Sequence, residues 1–209
     1  MKQKILLGTD SPIMTFLAQI FDLILLNLLF ILCSLPVLTI GSSLTALYSV
    51  TLKMAKNEEG YILRGFFQAF KTNFKQSLCF WIPLLLFSTF WYADYRILKL
   101  PVASGLQILR IPLVVLALIG LCIFLYSFPV IAYFKCTTKQ VFQNILVLTL
   151  KHYLTTIFML CVLVGLILLF ALAPDKITLF AISIFTLIGF SAIAMLFSVL
   201  LRKIFSLYE

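Results

Sequence analysis

Apolar positions along this chain come in long unbroken runs, and only short polar stretches separate them. Alternation with period 2 is absent from these runs, so they read as helices rather than strands. "IMTFLAQIFDLILLNLLFILCSL" follows Ser11-Pro12, a capping serine and a proline at the first helical position, and ends at Pro36. At about 20 residues for about 30 Å of hydrocarbon, such runs predict spans near 20–38, 39–56, 77–96, 111–134, 153–173 and 177–201. The second is unusual, because Gly41, Ser42, Ser43, Thr45, Ala46 and Ser49 put small residues at close-packing spacing. It should be buried against other helices rather than bathed in lipid. The fourth should kink near Pro129.

Two stretches depart from the pattern. In "AKNEEGYILRGFFQAFKTNFK" the residues Arg64, Gln68, Lys71 and Lys75 fall on one helical stripe. Ile62, Leu63, Phe66, Phe67, Phe70 and Phe74 take the other side, and Asn57, Glu58 and Glu59 suit the start of the helix. The segment 57–75 is therefore expected to lie in the membrane plane on the cytoplasmic side, phenylalanines in the acyl boundary and basic face outward. It serves either as an anchoring connector or as a docking face for a partner. A second amphipathic segment, 136–152, carries Lys139, Gln143 and Asn144 on its polar side. Phe67-Gln68 and Phe142-Gln143 are related by a shift of 75, which suggests a tandem parallel repeat of span, interfacial helix and span. The expected fold is an all-α membrane protein forming a single multi-pass domain, with about six transmembrane helices and two cytoplasmic interfacial helices.

Composition agrees with this class. Hydrophobic residues make up 63% of the 209 and charged ones 11%, against about 25% charged in soluble domains. The net charge of +9 does not point to nucleic acid, because lysines and arginines stand singly between apolar runs. They suit anionic lipid headgroups on the cytoplasmic side. With the N-terminus inside, only Arg96, Lys99, Arg110 and Lys176 of the 16 basic residues fall outside. A five-span arrangement weakens that asymmetry, so six spans with both termini cytoplasmic are expected. The start, "MKQKILLGTDSPIMTF", lacks a short apolar core with a cleavage site and is expected to be retained. Cys33, Cys79, Cys122, Cys136 and Cys161 lie in or beside apolar runs without metal-ligand spacing, as small buried hydrophobes would.

Ionisable groups inside the runs are the candidates for function. Asp22 and Asn27 share the first span; they form either an interface anchor with a helix–helix hydrogen bond or a polar pathway. His152 is the sole histidine and reads as an interfacial polar tip. Glu58 and Glu59 are explained by a helix start without invoking acid–base chemistry. Between the third and fourth spans, Asp94, Arg96, Lys99 and Arg110 near Trp91 and Tyr92 read as aromatic-belt anchoring, with an anionic or sugar-like ligand as the alternative. Phosphate-cradling, HExxH and nucleophile-elbow motifs are missing from the sequence. No catalytic residue, metal site or cofactor is expected.

The block 22–76 resembles the signature region of the YesL-like family of bacterial membrane proteins. The matching features are Asp22, Asn27, the "SLP-x-x-TIG" turn at 34–41, Ala46-Leu47-Tyr48 and "EEGY" leading into "FF-x-x-FK-x-NFK". The resemblance implies a multi-pass protein of the bacterial plasma membrane with no established activity. It also implies, by genetic association, an accessory role in carbohydrate uptake beside sugar-transporter subunits. A small stand-alone transporter or channel, with a polar path near Asp22 and Asn27, is the alternative.

Overall fold

A computed structural model describes residues 12–56, 58, 60–98, 110–134, 136–172 and 174–208, and all regular structure among them is helical. Helix α1 (Pro12–Cys33) begins at the expected proline; a short 3-10 turn (Val37–Thr39) then leads into α2 (Ile40–Ala55). They are followed by α3 (Ile62–Leu98), α4 (Arg110–Tyr133), α5 (Thr138–Lys151) and α6 (Tyr153–Leu172). The last stretch is α7 (Asp175–Ile184), a π-helical turn (Phe185–Gly189) and α8 (Phe190–Phe205). Six segments are long and apolar enough to cross a bilayer: Phe16–Cys33, Val37–Ala55, Ile62–Asp94, Ile111–Tyr133, Tyr153–Leu172 and Ala181–Phe205. This is an all-α membrane protein.

α2 is the hub, as its small residues predict. It packs against α3, α8, α4 and α1, and most of its residues are buried. Gly41 is the point of closest approach: a Cβ there would stand 2.6 Å from the Trp81 Cβ. Hydroxyls fix the register, with Thr45 Oγ1 2.7 Å from Ser77 Oγ on α3 and Thr51 Oγ1 2.7 Å from Ser198 Oγ on α8. Lipid gives no hydrophobic reward for helix contact, so close backbones and such hydrogen bonds hold the bundle together. The turn before α2 is fastened too. Thr39 Oγ1 donates to the Cys33 carbonyl at the end of α1 (2.6 Å), and Trp81 Nε1 donates to the Val37 carbonyl (2.8 Å).

The largest departure from the sequence expectation concerns 57–75. No separate in-plane helix exists there. The segment from Ile62 onward is the first half of α3, one helix of 37 residues that continues into the third span. Composition changes near Ser77, but no proline or glycine lies between Gly65 and Pro83 to end the helix. Glu58 precedes the helix, its N–H bonded to the Lys53 carbonyl (3.1 Å); Asn57 and Glu59 lie outside the described residues. The phenylalanines are corrected as well. Phe66 is completely buried, Phe70 and Phe74 are half-buried, and only Phe67 is exposed. α3 packs along α2, Phe66 belongs to the core and Phe70 packs against it, so these rings meet protein where lipid was expected.

α5 does form as a separate amphipathic helix. A reciprocal cap between Thr137 and Gln140 starts it, and non-helical backbone at His152 (φ −113°, ψ 47°) separates it from α6. Val141, Ile145 and Leu148 face the protein. The suggested repeat is therefore not carried into architecture: the second unit breaks between its amphipathic helix and its span, and the first does not. α3 continues as helix through Pro83 and α4 through Pro129, and a π turn separates α7 from α8.

Candidate functional site

Asn27 is fully buried on α1. Its Nδ2 donates to the Thr186 carbonyl (2.6 Å), and its Oδ1 accepts from the Ser191 N–H (3.0 Å). Those two backbone groups are five residues apart, the pair that a π turn would otherwise join to each other. The Asn27 amide is thus inserted between them, and both ends of its side chain are engaged. Gly189 permits the arrangement, because a Cβ there would run into the Phe185 ring. Asn27 is a helix–helix fastener. The π turn and its partner were not visible in the sequence, since a single asparagine carries no mark of which distant backbone it will bridge.

Asp22 faces elsewhere. Five residues along a helix turn about 140°, so it points away from the Asn27 contact, and the structure does not bring the two together. Asp22 is half-buried at a cavity of about 380 Å³ whose lining includes Val50, Lys53, Met54, Glu58 and Tyr61. Among the described residues it has no ion-pair or hydrogen-bond partner. The cavity is an open notch at the end of the bundle where α2 finishes and α3 begins. Its mixture of two carboxylates and one ammonium makes no nucleophile–base pair.

The basic stripe is present as read. Arg64, Gln68, Lys71 and Lys75 are all exposed along the first half of α3. The three cations have no ion-pair partner among the described residues. Behind them, Phe66 stacks on Phe70 with centroids 6.4 Å apart, and Phe70 meets Phe74 at 5.7 Å. The stripe is therefore carried on a braced surface, not a loose tether.

Other sequence candidates resolve into fastenings. His152 Nε2 lies 3.2 Å from the Tyr208 hydroxyl, and Lys151 Nζ sits 5.7 Å from the same ring centroid. Together they tie the α5–α6 corner to the end of the chain. The Arg202 guanidinium donates to the Ala55 carbonyl at the C-terminus of α2, where a cation suits the helix dipole. Trp91 Nε1 donates to the Leu113 carbonyl (3.3 Å), joining α3 to α4. Lys99 lies outside the described residues, and no loop site can be built from it. Cys79 and Cys161 are exposed and Cys33, Cys122 and Cys136 half-buried, so the expected burial holds only in part; all five are free thiols.

A family model described as "Protein of unknown function, DUF624" matches residues 23–95. The YesL-like resemblance is borne out over that segment, since YesL-like proteins belong to this family. The matched residues cover the second half of α1, all of α2 and most of α3, and so contain Asn27, the Gly41–Trp81 contact and the basic stripe; Asp22 lies one residue before them. No curated protein and no solved structure matches the chain.

Proposed function

We propose that the protein is a non-enzymatic accessory to solute uptake in the bacterial plasma membrane, both termini cytoplasmic, docking through the first half of α3. The observation that carries this reading is the row of Arg64, Lys71 and Lys75, without an ion-pair partner among the described residues, on a helix face braced by Phe66, Phe70 and Phe74. A chain that holds charge to 11% exposes this row without neutralising it from any described residue, and the complementary surface is an acidic cytoplasmic segment of a transporter subunit. Carbohydrate as the solute comes from the YesL-like resemblance alone.

The test is cross-linking in native membranes followed by identification of the attached protein. Wild type should capture a transporter subunit, and R64E/K71E/K75E should lose it while its melting temperature in detergent is retained. Capture that survives charge reversal would remove the docking reading. Making Phe66 polar is unsuitable for this purpose, because the residue belongs to the core. The stand-alone transporter alternative predicts flux through purified protein in liposomes; the expected result is none, in keeping with an Asn27 whose amide nitrogen and oxygen are both bonded to the π turn.

A further inference from the structure

We propose that the groove between α3, α4 and α5 is a binding site for one anionic phospholipid, an acyl chain lying between α3 and α4 and the phosphate meeting Lys139. The groove has a volume of about 670 Å³, within the range of about 300–1,000 Å³ usual for ligand pockets. Its floor is apolar: Phe80 is buried, and Leu84, Phe87 and Ile123 are half-buried. Its sides stand open at Cys79, Pro83, Ile119 and Phe142, which are exposed on segments long and apolar enough to span, or on the amphipathic α5. The occupant therefore enters sideways from lipid and does not need a path from water.

The two ends of the groove differ, and this difference selects the ligand. Phe87, Leu116 and Gly120 close one end with hydrocarbon, while Thr138 and Lys139, in the first turn of α5, stand at the other. Lys139 is the sole charged residue of the lining, is exposed, and has no ion-pair partner among the described residues. Lys75, one turn before Cys79 on the same face of α3, adds a second cation near that end. An apolar trough from Cys79 to Phe87 runs about 12 Å along the helix and has one cationic end. That is the outline of a lipid chain with an anionic headgroup. A free phosphate would meet the cations without using the trough, and a neutral lipid would leave them unpaired. The proposal is independent of the docking reading, although Lys75 borders both surfaces.

Native mass spectrometry of the full chain in detergent, given equal phosphatidylglycerol and phosphatidylcholine with identical acyl chains, tests it. Wild type should retain one phosphatidylglycerol in preference. K139Q should reduce that preference about fivefold, the effect of one lysine near an anionic lipid surface, while K203Q, an equal change of charge on α8, should not. C79W should lower retention of both lipids by filling the trough, and excess inorganic phosphate should displace neither. Equal binding of the two lipids to wild type, equal behaviour of K139Q and K203Q, unchanged retention by C79W, or displacement by phosphate would each overturn the proposal. Should a variant fail to fold, wild-type protein with a phosphatidylglycerol bearing a photoreactive acyl chain decides. Cross-links within 79–87 and 116–123 support the site, and cross-links confined to other segments refute it.

Discussion

At the scale of single residues, the buried polar groups act as fasteners, and their substitutions should show in stability. Asn27→Leu removes a donor and an acceptor at once and leaves the Thr186 carbonyl and the Ser191 N–H to find each other across the π turn. Leaving buried polar groups unsatisfied costs about 1–3 kcal/mol, so a lowered melting temperature in detergent is expected, with Asn27→Asp intermediate because it keeps the acceptor. A melting temperature equal to wild type for Asn27→Leu would show that the turn does not depend on α1. Gly41 supplies a second case. Gly41→Ala drives a methyl against Trp81, whose Cβ would be 2.6 Å away, and backbone-adjacent atoms cannot swing aside. Overpacking of this kind typically costs about 1–3 kcal/mol. Trp81→Gly, which deletes the clashing Cβ itself, should remove most of the added loss, so the double variant should be less than additive; full additivity would place the strain elsewhere.

At the scale of elements, the sequence exposes what depends on local pattern and hides what depends on distant partners. α2 was legible as a buried helix because Gly41, Ser42, Thr45 and Ala46 leave a surface that only another backbone can fill. α5 was legible because its apolar positions recur with helical period opposite Lys139, Gln143 and Asn144. The continuity of α3 was not legible. A shift from charged to apolar composition near Ser77 looks like a boundary between water and lipid, yet it contains nothing that ends a helix. The fate of Phe66 was hidden for a related reason: in a chain where lipid and core are equally apolar, periodicity says that a face is apolar without saying what covers it. Phe66→Ala should lose about 3–5 kcal/mol as a core truncation, whereas Phe67→Ala, one residue along and exposed, should change the melting temperature little. The α2–α3 hydroxyl pair permits a finer measurement. A Thr45→Val and Ser77→Ala double-mutant cycle should give a coupling of about 0.6 kcal/mol, the average for such bonds inside membranes, and zero coupling would mean the register is set by Gly41 alone.

At the scale of the whole molecule, the contacts along α3 decide which part of it can be in lipid. Gly41 meets Trp81, Thr45 meets Ser77 and Val50 approaches Gly65, so α2 runs antiparallel beside the first half of α3. The second half pairs with α4 through Phe87 against Gly120 and Trp91 against Leu113. A helix of 37 residues is about 55 Å long at 1.5 Å per residue, well beyond the roughly 30 Å of hydrocarbon. α4 and α6, at 24 and 20 residues, fit that thickness and are polar only near their ends, so they define the slab. The second half of α3 lies within it, and the first half, with Arg64, Lys71 and Lys75, emerges on the side where α5 joins α4 to α6. α2 lies beside that first half and is wrapped by protein on most sides, packing on α1, α4 and α8 as well. On a cysteine-free background, Lys71→Cys and Lys75→Cys should therefore react with a membrane-impermeant maleimide from the cytoplasmic side only. Leu86→Cys and Ile119→Cys should react from neither. Labelling of Lys71→Cys from outside would invert the orientation, and protection of both lysine positions from both sides would place the stripe inside the bilayer, where three unpaired cations require a protein partner at that depth.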